Sequence, residues 1–147
     1  MARMMSLSKE KHKLMAESKH FRIQDALDVL KARREGMQIA AMLGFSHADA
    51  TKIAVVISEL GRNIVNYAGT GTITVLTRED DKGKSVKIIA DDKGPGIEDI
   101  DHVMLGGNST SGGLGLGLSG SKRLMDEFHI RSSSGSGTTV TTTKWIR

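Results

Sequence analysis

The stretch from Asp91 to Gly120, DDKGPGIEDIDHVMLGGNSTSGGLGLGLSG, constrains this chain more than any other, because it gathers nine of the 17 glycines and the only proline. Glycine at that density belongs where backbone must take positive φ or approach a ligand without a Cβ in the way. The stretch has three parts. Asp92-Lys93-Gly94-Pro95-Gly96 is an acid followed by a tight turn. Gly106 to Gly113 is a loop of small polar residues. Gly113-Leu114-Gly115-Leu116-Gly117-Leu118 leads into a predicted helix. A glycine-rich loop that feeds a helix N-terminus is a ready anion site, since unpaired N–H groups and the helix dipole both favour negative charge. Nucleotide phosphate is the expected ligand.

The totals narrow the rest. A chain of 147 residues is expected to form one domain with a real core. It has no cysteine, which excludes a disulfide framework, a thiolate metal site and a cysteine nucleophile. No apolar run reaches membrane-spanning length, and Met1 to Leu7 lacks the apolar core of a signal peptide, so a cytoplasmic location is expected. The net charge of +4 owes much to Lys9-Glu10-Lys11-His12-Lys13, and aromatics make up only 3% of the chain. With no platform on which bases could stack, a solvated basic tail is expected rather than a nucleic-acid interface.

Residues 1–19 read as a basic, disordered or loosely helical extension, and residues 20–147 as the folded domain. His20 to Ile23 reads as a short edge strand. From Ala26, apolar residues at Leu27, Leu30, Met37, Ala40, Ala41 and Leu43 have helical spacing, with Gly44 where a C′ residue belongs. Ser46 and Asp49 mark the start of a second helix, reaching about Tyr67, with Ile53, Val56, Ile57, Leu60 and Ile64 toward a core. On that helix Glu59, Asn63 and Asn66 share one stripe. Asparagine is a poor mid-helix residue, so the stripe is a candidate site. Thr72 to Thr77 and Lys84 to Ala90 form a predicted hairpin, and Asp91-Asp92 end its second strand. A helix is expected over Leu116 to Phe128, then a strand from Ile130, a turn at Gly135-Ser136-Gly137 and a final strand from Thr138. This order implies an α/β (α+β) two-layer sandwich, with a mixed, mostly antiparallel sheet covered on one face by helices.

Three nucleotide fingerprints fail. Gly115 to Gly120 matches G-x-G-x-x-G, but a polar loop precedes it and no acid follows about 20 residues on. Walker A spacing is present, but Ser121-Lys122 stand in exchanged order. The V-A-I-K, H-R-D and D-F-G elements of protein kinases are missing. What remains is an ordered set: Glu59 and Asn63, then Asp92-Lys-Gly94-Pro-Gly96, then Gly113-Leu-Gly115-Leu-Gly117, then Gly137-Thr138-Thr139.

In order and spacing that set resembles the GHKL superfamily with its Bergerat ATP-binding fold. The runs Ile57-Ser-Glu-Leu-Gly-Arg-Asn-Ile, Ser109-Thr-Ser-Gly-Gly-Leu-Gly-Leu-Gly-Leu and Lys122-Arg-Leu-Met-Asp-Glu-Phe narrow it to the small serine/threonine kinases of the Rsb stress-response pathways, over about Arg22 to Arg147. The resemblance implies ATP and Mg2+ as cofactors. It implies that Glu59 is the catalytic acid/base, Asn63 the magnesium ligand, and Asp92 the acceptor of the adenine amino group. Gly94, Gly96 and Ile97 would border the base. Gly113, Leu114, Gly115, Leu116, Gly117 and Leu118 would line the phosphates, and Thr138 would support Asp92. Implied partners are STAS-domain antagonist or scaffold proteins and a downstream phosphatase, with no nucleic acid or membrane, and with room for a homodimer. Two other functions fit the same motifs: an ATP-gated module that sequesters a partner in the manner of an anti-sigma factor, and a catalytic domain cut from a histidine kinase. Against the latter, about 20 residues before the first strand are too few for a dimerisation helix pair.

Overall fold

The structure, a computed structural model, describes residues 15–97, 100, 104 and 117–146. Among these, three helices lie on one face of a five-stranded sheet. In chain order the elements are β1 (Met15–Ile23), α1 (Ala26–Leu43), α2 (His47–Asn63) with a π-helical turn (Ile64–Ala68), β2 (Gly71–Asp80), β3 (Gly83–Asp92), α3 (Gly117–Leu124), β4 (Glu127–Ser132) and β5 (Thr138–Trp145). The sheet order is β1-β2-β3-β5-β4, and all four pairings are antiparallel. The expected two-layer arrangement is therefore present, and the described sheet is antiparallel throughout.

Local chemistry sets the helix ends. Asp25 accepts from the Asp28 backbone N–H while Asp28 accepts from that of Gln24, a reciprocal cap. Gly44, at φ 116°, closes α1 by donating to the Ala40 and Ala41 carbonyls. The Ser46 hydroxyl caps α2 by accepting from the Asp49 N–H. The apolar strand residues Ile73, Val75, Val86, Ile88 and Val140 pack against Ile53, Val56, Ile57 and Leu60 of α2, and all are buried.

Four boundaries differ from the sequence reading. β1 begins at Met15, so residues 15–19 belong to the sheet; paired with the long β2 and exposed on both faces up to His20, they carry no apolar alternation to announce a strand. α1 buries Val29, Ala32, Gly36 and Ala40, whereas Leu27 and Leu30 are 74% and 59% exposed. Small residues face inward because α1 and α2 pack closely: a Cβ on Gly61 would lie 3.0 Å from the Val29 methyls, and one on Gly36 would overlap Ile57. α2 ends at Asn63 and continues as the π turn, closed by the Gly69 N–H donating to the Ile64 carbonyl at 2.8 Å. Finally, Phe128 lies in β4 rather than in the third helix. That helix stops at Leu124 because the backbone is claimed by β5: the Asp126 N–H donates to Thr143 O, the Trp145 N–H donates to the Asp126 carboxylate, and Lys144 Nζ donates to Leu124 O.

These connections bring the C-terminus of α2, the start of β2, the end of β3 and the start of β5 to one end of the sandwich, where Gly71 pairs with Asp92 and Asp92 with Thr138.

Candidate active site

Two sets of residues meet at that end. The first is on α2. Glu59 is 3% exposed, and its Oε1 accepts from Arg62 Nη1 at 3.3 Å. Its Oε2 has no hydrogen bond among the described residues. Asn63, one turn on, closes the helix, and its amide is likewise free of hydrogen bonds. Asn66, the third member of the predicted stripe, lies inside the π turn and is exposed. The wider turn changes the angular step between residues, so the stripe does not continue through it. π turns are rare and concentrate at functional sites.

The second set is the turn after β3. Asp92 Oδ1 accepts from the Gly94 N–H at 2.8 Å, leaving Oδ2 without a hydrogen bond among the described residues. Both candidate carboxylates are thus built alike, with one oxygen anchored and the other open. Gly94 and Gly96 are required by packing. A Cβ at Gly94 would sit 2.6 Å from that of Ala68 in the π turn, which ties the two sets together. Gly96 takes φ 81°, and a Cβ there would overlap the Ser133 carbonyl oxygen.

The β4–β5 turn clamps this loop. Gly135 N–H donates to Pro95 O at 2.6 Å and Ile97 N–H to Ser132 Oγ at 2.8 Å. The Ser132 hydroxyl also bonds Gly137 O at 2.9 Å and Thr138 Oγ1 at 2.8 Å. Thr138 is the direct cross-strand neighbour of Asp92, though its hydroxyl is spent on Ser132. Gly137, at φ 83°, lies so close that a Cβ would overlap Asp92 O. Ser132 joins two predicted site residues, Ile97 and Thr138, to Gly137, yet it is not among the residues that the sequence singles out. In Arg-Ser-Ser-Ser-Gly-Ser-Gly nothing separates this serine from ordinary turn residues.

On the phosphate side, Gly117 opens α3 at φ 55° and Leu118 buries its side chain in the core at 7% exposure. Leu118 can therefore offer a ligand its backbone only. Gly113, Leu114, Gly115 and Leu116 lie outside the described residues.

Comparison with known proteins places this geometry. The family profile of histidine kinase-, DNA gyrase B- and HSP90-like ATPases matches residues 48–146. The chain is 51% identical over 126 residues to the serine/threonine-protein kinase RsbT of Bacillus subtilis (strain 168), covering 86% of this chain and 95% of that one. The chain is an RsbT-like serine/threonine kinase of the GHKL ATPase family. A crystal structure of the RsbU and RsbW domains of a Mycobacterium tuberculosis protein matches with a TM-score of 0.61 at 24% identity. It spans 88% of this chain and 32% of the solved one, and that likeness concerns the fold alone.

Membership in this ATPase family implies that the chain binds ATP. No cluster of three or more His, Asp or Glu among the described residues could hold a metal unaided. That donor set fits magnesium, which retains waters, takes phosphate oxygens and needs only one or two protein oxygens. Asn63 would supply one hard amide oxygen, which has no hydrogen bond among the described residues. No helix among the described residues is long and apolar enough to cross a membrane.

Proposed function

We propose that this kinase transfers the γ-phosphoryl group of ATP to serine or threonine hydroxyls of STAS-domain antagonist or scaffold proteins in a stress-response partner-switching module. Phosphorylation then releases it to activate a downstream phosphatase. The observation that carries the reading is Glu59: a carboxylate buried on α2, with one oxygen held and one open, a single turn before an unengaged Asn63.

Each residue has a part. Asp92 Oδ2 accepts a hydrogen bond from the adenine amino group, while Oδ1, fixed by Gly94, keeps the carboxylate from turning. Glu59 Oε2 accepts the proton of the attacking hydroxyl. Asn63 holds magnesium through its amide oxygen; the ion, when bound, neutralises charge on the phosphates. The Gly113 to Leu118 segment offers N–H groups to the phosphate oxygens. Phosphoryl transfer asks mainly for positioning and charge neutralisation, so this set suffices.

The test is transfer of labelled γ-phosphate from Mg-ATP to a panel of STAS-domain proteins of the same organism, with Glu59→Gln alongside. Transfer to serine or threonine is expected, and loss of a general base should slow it by about 10²–10⁴-fold. ATP binding with no transfer to any member of the panel would instead support a nucleotide-gated sequestering module.

A further inference from the structure

The geometry points to Arg62 as a positioning residue that fixes the rotamer of Glu59, so that one carboxylate oxygen is held and the other stays turned toward the attacking hydroxyl. This rests on the proposed role of Glu59 as the base. Glu59 and Arg62 stand three residues apart on α2, the spacing at which helix side chains meet. The Glu59 side chain is 4% exposed and that of Arg62 39% exposed, and Nη1 donates to Oε1 at 3.3 Å. A buried carboxylate needs a partner. Among the described residues Arg62 is the one cation on it. Arg33 on α1 donates instead to the neighbouring Ser58, whose Oγ its Nη1 reaches at 3.2 Å.

The backbone beneath the pair is equally fixed. Gly61, between them, is in close contact with Val29 of α1, so the turn cannot slide along its neighbour. One oxygen of Glu59 is therefore tied, and the carboxylate has a single orientation in which its other oxygen is free. Without Arg62 the buried carboxylate loses the cation that orients it and is drawn toward water. A displacement of about 1 Å in a reacting group is enough to cost about 10²-fold in rate. Arg62 need touch neither nucleotide nor substrate to have this effect.

The experiment is a double-mutant cycle on the full chain with Arg62→Ala, Arg62→Lys, Glu59→Gln and the double variant. Phosphate transfer from labelled Mg-ATP is measured to the STAS-domain panel and, as basal hydrolysis, to water. ATP affinity by calorimetry and Tm are measured in parallel. Arg62→Ala is expected to lower kcat by about 10–10²-fold with ATP affinity unchanged, and Arg62→Lys to recover part of the loss. The double variant should be no slower than Glu59→Gln alone, because two residues acting as a unit are not additive. Losses that multiply in the double variant, together with weaker ATP binding, would overturn the proposal and place Arg62 on the phosphates. So would a rate loss in Arg62→Ala fully explained by its unfolded fraction. If Glu59→Gln retains transfer, the base assignment itself fails, whatever Arg62 does.

Discussion

The two halves of the site are made of different material. On α2 the proposed working atoms are side chains, Glu59, Arg62 and Asn63, projected from a helix whose apolar face is locked into the core by Ile53, Val56, Ile57 and Leu60. The Asp92–Ile97 loop is instead held mainly by backbone: Gly135 on Pro95, Gly137 against Asp92, Gly96 against Ser133, with the Ser132 hydroxyl and the Asp92 carboxylate as side-chain fasteners. A helix face can exchange a side chain without moving its Cα. A loop built from carbonyls and glycines cannot take a side chain without moving its neighbours. Substitutions on α2 should therefore change chemistry at constant fold, and those in the loop should change fold and affinity together.

The largest effect separates the halves most clearly. Glu59→Gln keeps shape and removes the base, so phosphate transfer should fall by about 10²–10⁴-fold while ATP affinity and Tm hold. A Tm fall of the same order as the activity loss would break the comparison. Gly137→Ala is the counterpart in the loop. It puts a Cβ on the Asp92 carbonyl oxygen at positive φ. Left-handed strain and overpacking together should cost about 2–4 kcal/mol, which at this chain length lowers Tm by more than about 5 °C. An unchanged melting curve would mean that the loop yields where its packing says it cannot.

Asp92→Asn sharpens the contrast by changing chemistry inside the backbone-built half. The amide oxygen can still accept from Gly94, so the turn survives. The amide nitrogen then stands where an acceptor is needed, opposite a donating amino group. Loss of a hydrogen bond to a charged group should weaken ATP binding by about 10–100-fold with Tm preserved; calorimetric titration with ATP decides it. Unchanged affinity would move the adenine site away from Asp92.

What the sequence revealed follows the same division. The places of Glu59, Asn63, Asp92 and Thr138 in the fold were legible because each stands at a readable point: a helix stripe, a strand end, a strand start. The hairpin of β2 and β3 was legible from its alternation and its Asp-Asp-Lys-Gly turn. The rest depended on neighbours that a single sequence does not display. Leu27 and Leu30 look like core, yet the close approach of α2 selects the small residues Ala32 and Gly36 for the interface. The π turn at Ile64–Ala68 inserts its extra backbone bond in an ordinary apolar run, so the stripe extrapolated to Asn66 fails. Strand β1 up to His20 is exposed on both faces and has no pattern to read. Phe128 was drawn into β4 by the hydrogen bonds of β5, which lie about 15 residues further along the chain.

The smallest predicted effect probes a place where the backbone-built half leans on a side chain of another strand. A serine hydroxyl has one donor and two acceptor lone pairs. At Ser132 the inventory is full: the Ile97 N–H donates to Oγ, Thr138 Oγ1–H can donate to it, and the Ser132 hydroxyl can give its own proton to Gly137 O. Ser132→Ala empties all three places. The site is only half-buried, so water can reach the freed Ile97 N–H, and the loss should be about 1 kcal/mol rather than a full burial penalty. The loop would keep its glycine contacts but lose the link that holds Ile97 and Thr138 on either side of Asp92. A modest fall in Tm should therefore accompany a several-fold loss of ATP affinity, and the affinity should recover in Ser132→Thr if the added methyl fits the partly exposed position. If Ser132→Ala changes neither quantity, the glycine-to-carbonyl packing holds the loop unaided, and the division between a side-chain half and a backbone half is stricter than Ser132 makes it look.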